Sequence, residues 1–353
     1  MNLGKYVFSQ VLDFVDKYEF NKCLKPHKGK LYHLGIKQSV VVSTLSRANE
    51  KRDWRIFADF GNYLIRLVRP LYADYPIPKV DIDNEIFALD STTISVSINL
   101  FTWAEGKYSR GAVKVHTLLN LRGGIPDFIL ITDGKYHDSN ALDVINFYAN
   151  AVYLMDKAYV DFETLFRINN AGAFFVTRAK DTMRYEVVEQ NFNIDETTGL
   201  RTDKTVRLTV AKSKILYSDE LRLVEFLNDT NSELLVFLTN NFEVSALEVA
   251  NLYKNRWQIE VFFRWIKQNL VIKKLWGQSE NAVKIHIWMA ICTYLIVAYV
   301  KQSIKSNLTI YEIMQVLGVS AFDKTSIREL LTEQRQFNQN VKELQYNLFT
   351  NLC

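Results

Sequence analysis

Glycine and proline are scarce in this chain, 13 and 5 of 353 residues, which argues against long disordered linkers. Cysteine is scarcer still. Cys23, Cys292 and Cys353 are far apart and odd in number. They offer no disulfide framework and no metal-ligand spacing, so a reducing compartment is expected. No secretory leader is expected either, because Asp13 and Asp16 interrupt the first apolar stretch. No apolar run reaches the ~18–20 residues of a membrane span. The greasiest stretch, IHIWMAICTYLIVAYV (285–300), contains His286 and is expected as a buried core helix. These absences leave a cytoplasmic protein with no membrane partner. Neither an internal repeat nor a low-complexity tract is evident.

A large excess of one charge is absent too, the net charge being only +4. Its distribution is uneven. Residues 1–80 hold 14 Lys and Arg against 7 Asp and Glu, whereas the remainder nets −3. A basic front end on a near-neutral body suits an acidic partner such as nucleic acid, or simply a solvated surface.

What is present reads as a sequence of segments. Residues 1–75 carry apolar residues at helical spacing (Phe8, Leu12, Val15 and Phe20, then Val41, Leu45, Phe57, Leu64 and Leu67) with basic residues between them. They form a small helical module. Two prolines mark residues 76–84 as a linker. EIFALDSTTISVSI (85–98), GAVKVHTLLNL (111–121) and PDFILIT (126–132) are rich in β-branched residues and read as a strand meander. HDSNALDVINFYANA (137–151) reads as a helix capped by Asp138 or Ser139. AVYLM (151–155) and AFFVT (173–177) read as strands around a helix that Asp161 caps. Strands followed by alternating helix and strand argue for an α/β fold with a mixed sheet over 85–180. Residues 181–240 break the alternation with four more candidate strands, a β-rich insertion. The α/β part resumes over 241–305, and a mostly helical tail fills 306–353.

Two aspartates stand out by position. Asp90 interrupts an apolar strand, and Asp156 follows directly on AVYLM, at the strand edge where α/β sheets bind ligands. A third acid lies in YKNRWQIEVFFRWIKQNL (253–270), which reads as one amphipathic helix. At about 100° per residue, Tyr253, Arg256, Glu260 and Lys267 fall within roughly 60° of one another. They lie beside the apolar stripe of Leu252, Ile259, Phe263, Ile266 and Leu270. Three converging carboxylates would repel one another and resist ionising, unless divalent cations joined them. Each residue also has a plainer role open to it. Asp156 can end a turn, and Glu260 can pair with Arg256 or Arg264. His116 and His137, without metal spacing, suit structural roles, with Lys114 and His116 off one face of a strand.

Taken together, these stretches resemble bacterial insertion-sequence transposases of the DDE class. They resemble in particular the subgroup with the signature Y-(2)-R-(3)-E-(6)-K, which Tyr253, Arg256, Glu260 and Lys267 match at every spacing. ALDSTTI resembles the first-aspartate strand and LMDKAYVDF the second, usually written D-x-G-Y. The resemblance implies a ribonuclease H-like fold with a β-strand insertion. It implies that Asp90, Asp156 and Glu260 hold two Mg²⁺ or Mn²⁺ ions. Tyr253, Arg256 and Lys267 would then hold DNA, and a dimer would assemble on terminal inverted repeats for cut-and-paste transposition. A metal-dependent nuclease of the same fold, or a degenerate inhibitor that occupies DNA ends, are the alternatives. Two departures stand out. Ala158 replaces the usual Gly, a cost only if φ is positive there. None of the six Trp lies in 178–250, so Tyr185, Phe192 or Tyr217 would have to stack any flipped base.

Overall fold

A computed structural model describes residues 42–96, 103–104, 111–228, 232–269, 277–320 and 325–331. Most of the expected basic module, residues 1–41, lies outside them, as do Leu270, Cys23, Cys353 and the end of the tail. The chain divides into two compact units, Tyr72–Trp265 and Met1–Leu71 with Ile266–Cys353.

The first unit is built on one nine-stranded sheet. Its strands are β1 (Ile86–Val96), β2 (Gly111–Asn120), β3 (Ile125–Asp133), β4 (Val152–Met155), β5 (Phe174–Arg178), β6 (Tyr185–Asn191), β7 (Leu200–Leu208), β8 (Leu221–Asn228) and β9 (Glu233–Thr239). The spatial order is β3-β2-β1-β4-β5-β9-β8-β7-β6. The expected meander is there: β1 pairs antiparallel with β2, and β2 with β3. Gly123 and Gly124 turn the chain between β2 and β3 with positive φ, and a Cβ on Gly123 would strike the Tyr72 ring. β4 and β5 then add in parallel to β1. This order and these directions are those of a ribonuclease H-like sheet. The four strands of the 181–240 segment extend the same sheet, because β9 pairs antiparallel with β5. One buried cluster runs beneath both parts, from Phe87, Leu118, Tyr153 and Phe175 to Val206, Leu221 and Leu238.

In the second unit, α1 (Val42–Lys51) and α2 (Arg55–Val68) are described from the helical module. Helix α3 (Phe162–Asn170), back in the sheet unit, starts as expected: Asp161 accepts from the Thr164 amide at 3.0 Å. A short α4 (Ala211–Leu216) and then α5 (Ala246–Lys254) and α6 (Trp257–Asn269) follow. Helix α7 (Glu280–Ser303) contains the greasy stretch, and α8 (Ile310–Ser320) comes after it. By length and composition α7 could cross a membrane, but 78% of its most apolar window is buried in the protein, as a core helix requires. It lies so close to α2 that a Cβ on Gly61 would come within 2.7 Å of the Trp288 ring.

Two sequence expectations are corrected. Residues 137–151 do not form an α-helix; only Asp138–Val144 coil, as a 3-10 helix, and Ile145 is already extended. Asp138 does not cap it, because its carboxylate is bonded to the sheet instead. Residues 253–270 are not one continuous helix either. The chain breaks between α5 and α6 at Asn255 and Arg256, whose amides donate to carbonyls three residues back. Asn255 is buried, and its amide group donates to the Pro78 and Asn251 carbonyls, both at 2.9 Å. A side chain that competes with the helix for backbone partners weakens the helix at that point.

Candidate active site at the sheet edge

The parallel strands place the acids. Leu89 pairs with Met155, and Met155 with Thr177. The next residues, Asp90, Asp156 and Arg178, therefore follow side by side at one sheet edge. Asp156 has extended backbone (φ −77°, ψ 162°) and caps no helix with its side chain. Ala158 sits in the 3-10 turn Lys157–Tyr159 and is not among the residues with positive φ. The turn therefore has no need of glycine, and the departure from D-x-G-Y costs nothing.

Glu260, on the first turn of α6, reaches the same place through Arg256. The Arg256 guanidinium lies 2.6 Å from Glu260 Oε1 and 3.2 Å from Asp90 Oδ2. Asp90 Oδ1 accepts from the Ser91 amide at 2.8 Å. Burial raises the Asp90 carboxyl above its ordinary pKa; the Ser91 amide and Arg256 oppose this, while Glu260 and Asp156 add to it. Asp90 thus lies within electrostatic reach of both other acids. Burial also works against the Arg256 charge, but Tyr253, Glu260 and Asp90 more than offset it. Its Nε is buried with no hydrogen-bond partner among the described residues.

Tyr253 is nearly buried, its ring 4.8 Å from Phe237 between centroids and 5.8 Å from the Arg256 guanidinium. Burial first, and then Asp156, push its phenol up to about 12, against Arg256 and Arg178. Lys267 lies on the last turn of α6, half-buried, and belongs to the helical unit. The structure therefore joins Asp90, Asp156, Glu260, Arg256 and Tyr253. It leaves Lys267 to the spacing of the signature.

Sequence reasoning missed several neighbours. Arg178 needs the strand register to be seen beside Asp156. Asp138, read as a helix cap, instead accepts from Ser91 Oγ at 2.7 Å and Lys114 Nζ at 3.1 Å. Lys114 and His116 share a strand face as expected. His116 is fully buried, bonded to Thr132 Oγ1 at 3.1 Å and edge-on to Tyr136. Burial holds its pKa down at about 4, so it is a neutral structural group. Of the three aromatics considered for stacking, Tyr217 is buried, whereas Phe192 is 84% exposed and Tyr185 37%.

The sequence model described as "Transposase DDE domain" matches residues 82–296. The chain belongs to that family. The match takes in all three acids and every position of the helix signature. Similar curated proteins include a putative transposase, y4zB, of Sinorhizobium fredii, 34% identical over 58% of this chain and 58% of that protein. A probable transposase for insertion sequence element IS5377 of Geobacillus stearothermophilus is 30% identical over 62% and 57%. A putative transposase for IS4SA of Synechocystis is 29% identical over 84% and 82%. The matches thus span less than three-fifths of the first two relatives. Among solved structures, a piggyBac transposase synaptic complex with hairpin DNA aligns at 9% identity and TM-score 0.40, over 69% of this chain and 55% of that one.

DDE transposases generally use divalent metal ions. The donor chemistry here fits such a hard cation: Asp90, which burial and then its acidic neighbours make reluctant to ionise, shares one arginine with Glu260, and Asp156 follows beside it. Among the described residues, no three His, Cys, Asp or Glu side chains are already spaced to enclose an ion. The guanidinium sets the present spacing of Asp90 and Glu260.

Proposed function

We propose that this chain is a DNA transposase that cuts DNA at the ends of an insertion sequence and joins the freed 3′-OH to target DNA. The observation that carries this is the surplus of acid at one sheet edge. Asp90 and Glu260 share Arg256, and Asp156 follows beside Asp90 in the strand register, within the segment that matches the DDE domain. In this reading the three carboxylates hold two Mg²⁺ or Mn²⁺ ions. Bound there, such ions supply a nucleophile from water at neutral pH and stabilise the leaving oxygen on phosphorus.

The protein's own groups do the rest. The Ser91 amide keeps Asp90 Oδ1 oriented. Arg256 neutralises Asp90 and Glu260 until DNA arrives, then offers its planar fork to phosphate oxygens. Tyr253 buttresses the guanidinium from its buried face, and Lys267 meets the DNA as a point charge farther along α6. Residues 1–75 bind the terminal repeats, 85–180 and 241–305 form the catalytic domain, and 181–240 is the inserted part. The complex is a dimer on DNA, in the bacterial cytoplasm.

The nuclease alternative cuts without joining, and the inhibitor alternative binds without cutting. One assay separates all three. The protein is incubated with Mg²⁺, a duplex from the end of its own insertion sequence and a supercoiled target plasmid. Joint end–plasmid molecules are expected. Cleaved ends without joints would favour the nuclease, and bound but intact ends the inhibitor.

A further inference from the structure

The Ser91 side chain is tied to a group outside the acidic trio. In β1, Ser91 pairs across the ladder with His116, and Thr93 with Lys114, so these side chains share a sheet face. Over them lies Asp138. Its Oδ1 accepts from Ser91 Oγ at 2.7 Å and from Lys114 Nζ at 3.1 Å, and lies 3.6 Å from His116 Nδ1. Lys114, only 12% exposed, also donates to the Tyr136 carbonyl at 2.8 Å. Burial alone would raise the Asp138 carboxyl, but the bonds from Ser91 and Lys114 hold it below its ordinary range. Asp138 is therefore a fixed, ionised anchor.

The anchor's reach extends to the first acid. Ser91 donates its hydroxyl to Asp138 and its amide to Asp90 Oδ1, at 2.8 Å. The β1–β2 ladder aims the Ser91 N–H, and the hydroxyl bond to Asp138 braces β1 at that residue. That N–H occupies one lone pair of Asp90 Oδ1 and leaves the other for a ligand. Outer partners of this kind set the orientation of the groups that bind a metal.

We propose that Asp138, acting through Ser91, is a positioning residue that orients Asp90 for a divalent cation. This rests on the reading of the acidic trio as a metal site. The sequence shows both residues, but only the fold brings Asp138 to a residue 47 positions earlier.

The test is Mn²⁺ binding by the full chain, read from the electron paramagnetic resonance of free Mn²⁺, with thermal unfolding followed on the same samples. Ser91→Ala removes only the hydroxyl and leaves the Asp138–Lys114 pair intact. It should weaken Mn²⁺ binding about tenfold or more. Ser91→Thr, which keeps the hydroxyl, should bind within about twofold of the parent. Asp138→Ala should weaken binding at least as much as Ser91→Ala, and the double variant should be no worse than Asp138→Ala, because both act along one path. Parent-like Mn²⁺ binding by Ser91→Ala overturns the inference, even if its melting point falls. Multiplicative losses in the double variant do so as well. A parent that binds no Mn²⁺ overturns both this inference and the metal reading beneath it. A parent that binds, beside an unaffected Ser91→Ala, overturns this inference alone.

Discussion

Two arginines in the sheet unit each face carboxylates, and they are finished to different degrees. Arg222, on β8, lies buried against Asp203 of β7 in a forked pair at 2.8 and 2.9 Å. Its remaining nitrogen donates to the Asn241 and Val244 carbonyls. One cation meets one anion, and the Arg222 and Asn191 bonds hold Asp203 below its ordinary pKa although burial opposes them. Arg256 is shared between Asp90 and Glu260, its Nε has no hydrogen-bond partner among the described residues, and Asp156 adds a third acid. There the carboxyl is raised rather than lowered. A saturated pair holds strands together. An unsaturated one with spare negative charge is poised to take up another cation.

Asp156→Asn should reduce DNA cleavage below detection while leaving urea unfolding nearly unchanged, because that carboxylate makes no cap and faces other acids. Arg222→Leu should do the reverse. Leaving Asp203 buried and unpaired should cost about 3–5 kcal/mol in urea unfolding, whereas the chemistry should survive wherever the protein stays folded. If Arg222→Leu cost no stability, saturation would not be the mark of a structural pair.

A somewhat smaller effect sharpens the same contrast. An ion bound only by the folded protein stabilises it by about 2.7 kcal/mol at a hundred times its Kd. Mg²⁺ should therefore raise the melting temperature of the parent. Asp90→Asn should lose that rise, and Glu186→Gln, on the exposed edge strand β6, should keep it. An equal rise in Asp90→Asn would place the ion elsewhere.

The sequence made much of this legible. Alternating β-branched residues marked β1–β3, and Asp161 marked the start of α3. The acids were visible one at a time, Asp90 and Asp156 by strand position and Glu260 by its spacing from Tyr253, Arg256 and Lys267. The break at Asn255 was not visible, because one of the two carbonyls that hold its side chain, that of Pro78, lies 177 residues away. Asp138 was misread for the same reason. It is a good cap by residue type, but sheet partners 24 and 47 residues away claim its carboxylate. Arg178 could be placed beside Asp156 only once β4 and β5 were known to be paired. Local pattern shows which residues can act; the register decides which of them meet.

A last effect, comparable in size and confined to acid pH, comes from His116, a buried group that takes no part in either arginine cluster. Its folded pKa, about 4, lies below its ordinary value of 6.5. The unfolded chain therefore binds the extra proton first. Its contribution is complete above pH 6.5 and is lost as pH falls toward 4, at most about 3 kcal/mol. His116→Gln should flatten the stability profile in that window. An unchanged slope between pH 6.5 and 4 would remove His116 from the account.

The central claim is that the acidic edge is the site of metal-dependent chemistry on DNA. The direct measurement is strand cleavage of an end-sequence duplex by the parent and by Glu260→Gln, compared at equal DNA occupancy in a gel shift, with Mg²⁺ and with EDTA. The parent should cleave with Mg²⁺ and not with EDTA. Glu260→Gln should bind the duplex at least as well, having lost a negative charge near it, and should not cleave. Cleavage by Glu260→Gln at the parent's rate, or cleavage by the parent in EDTA, would contradict the claim.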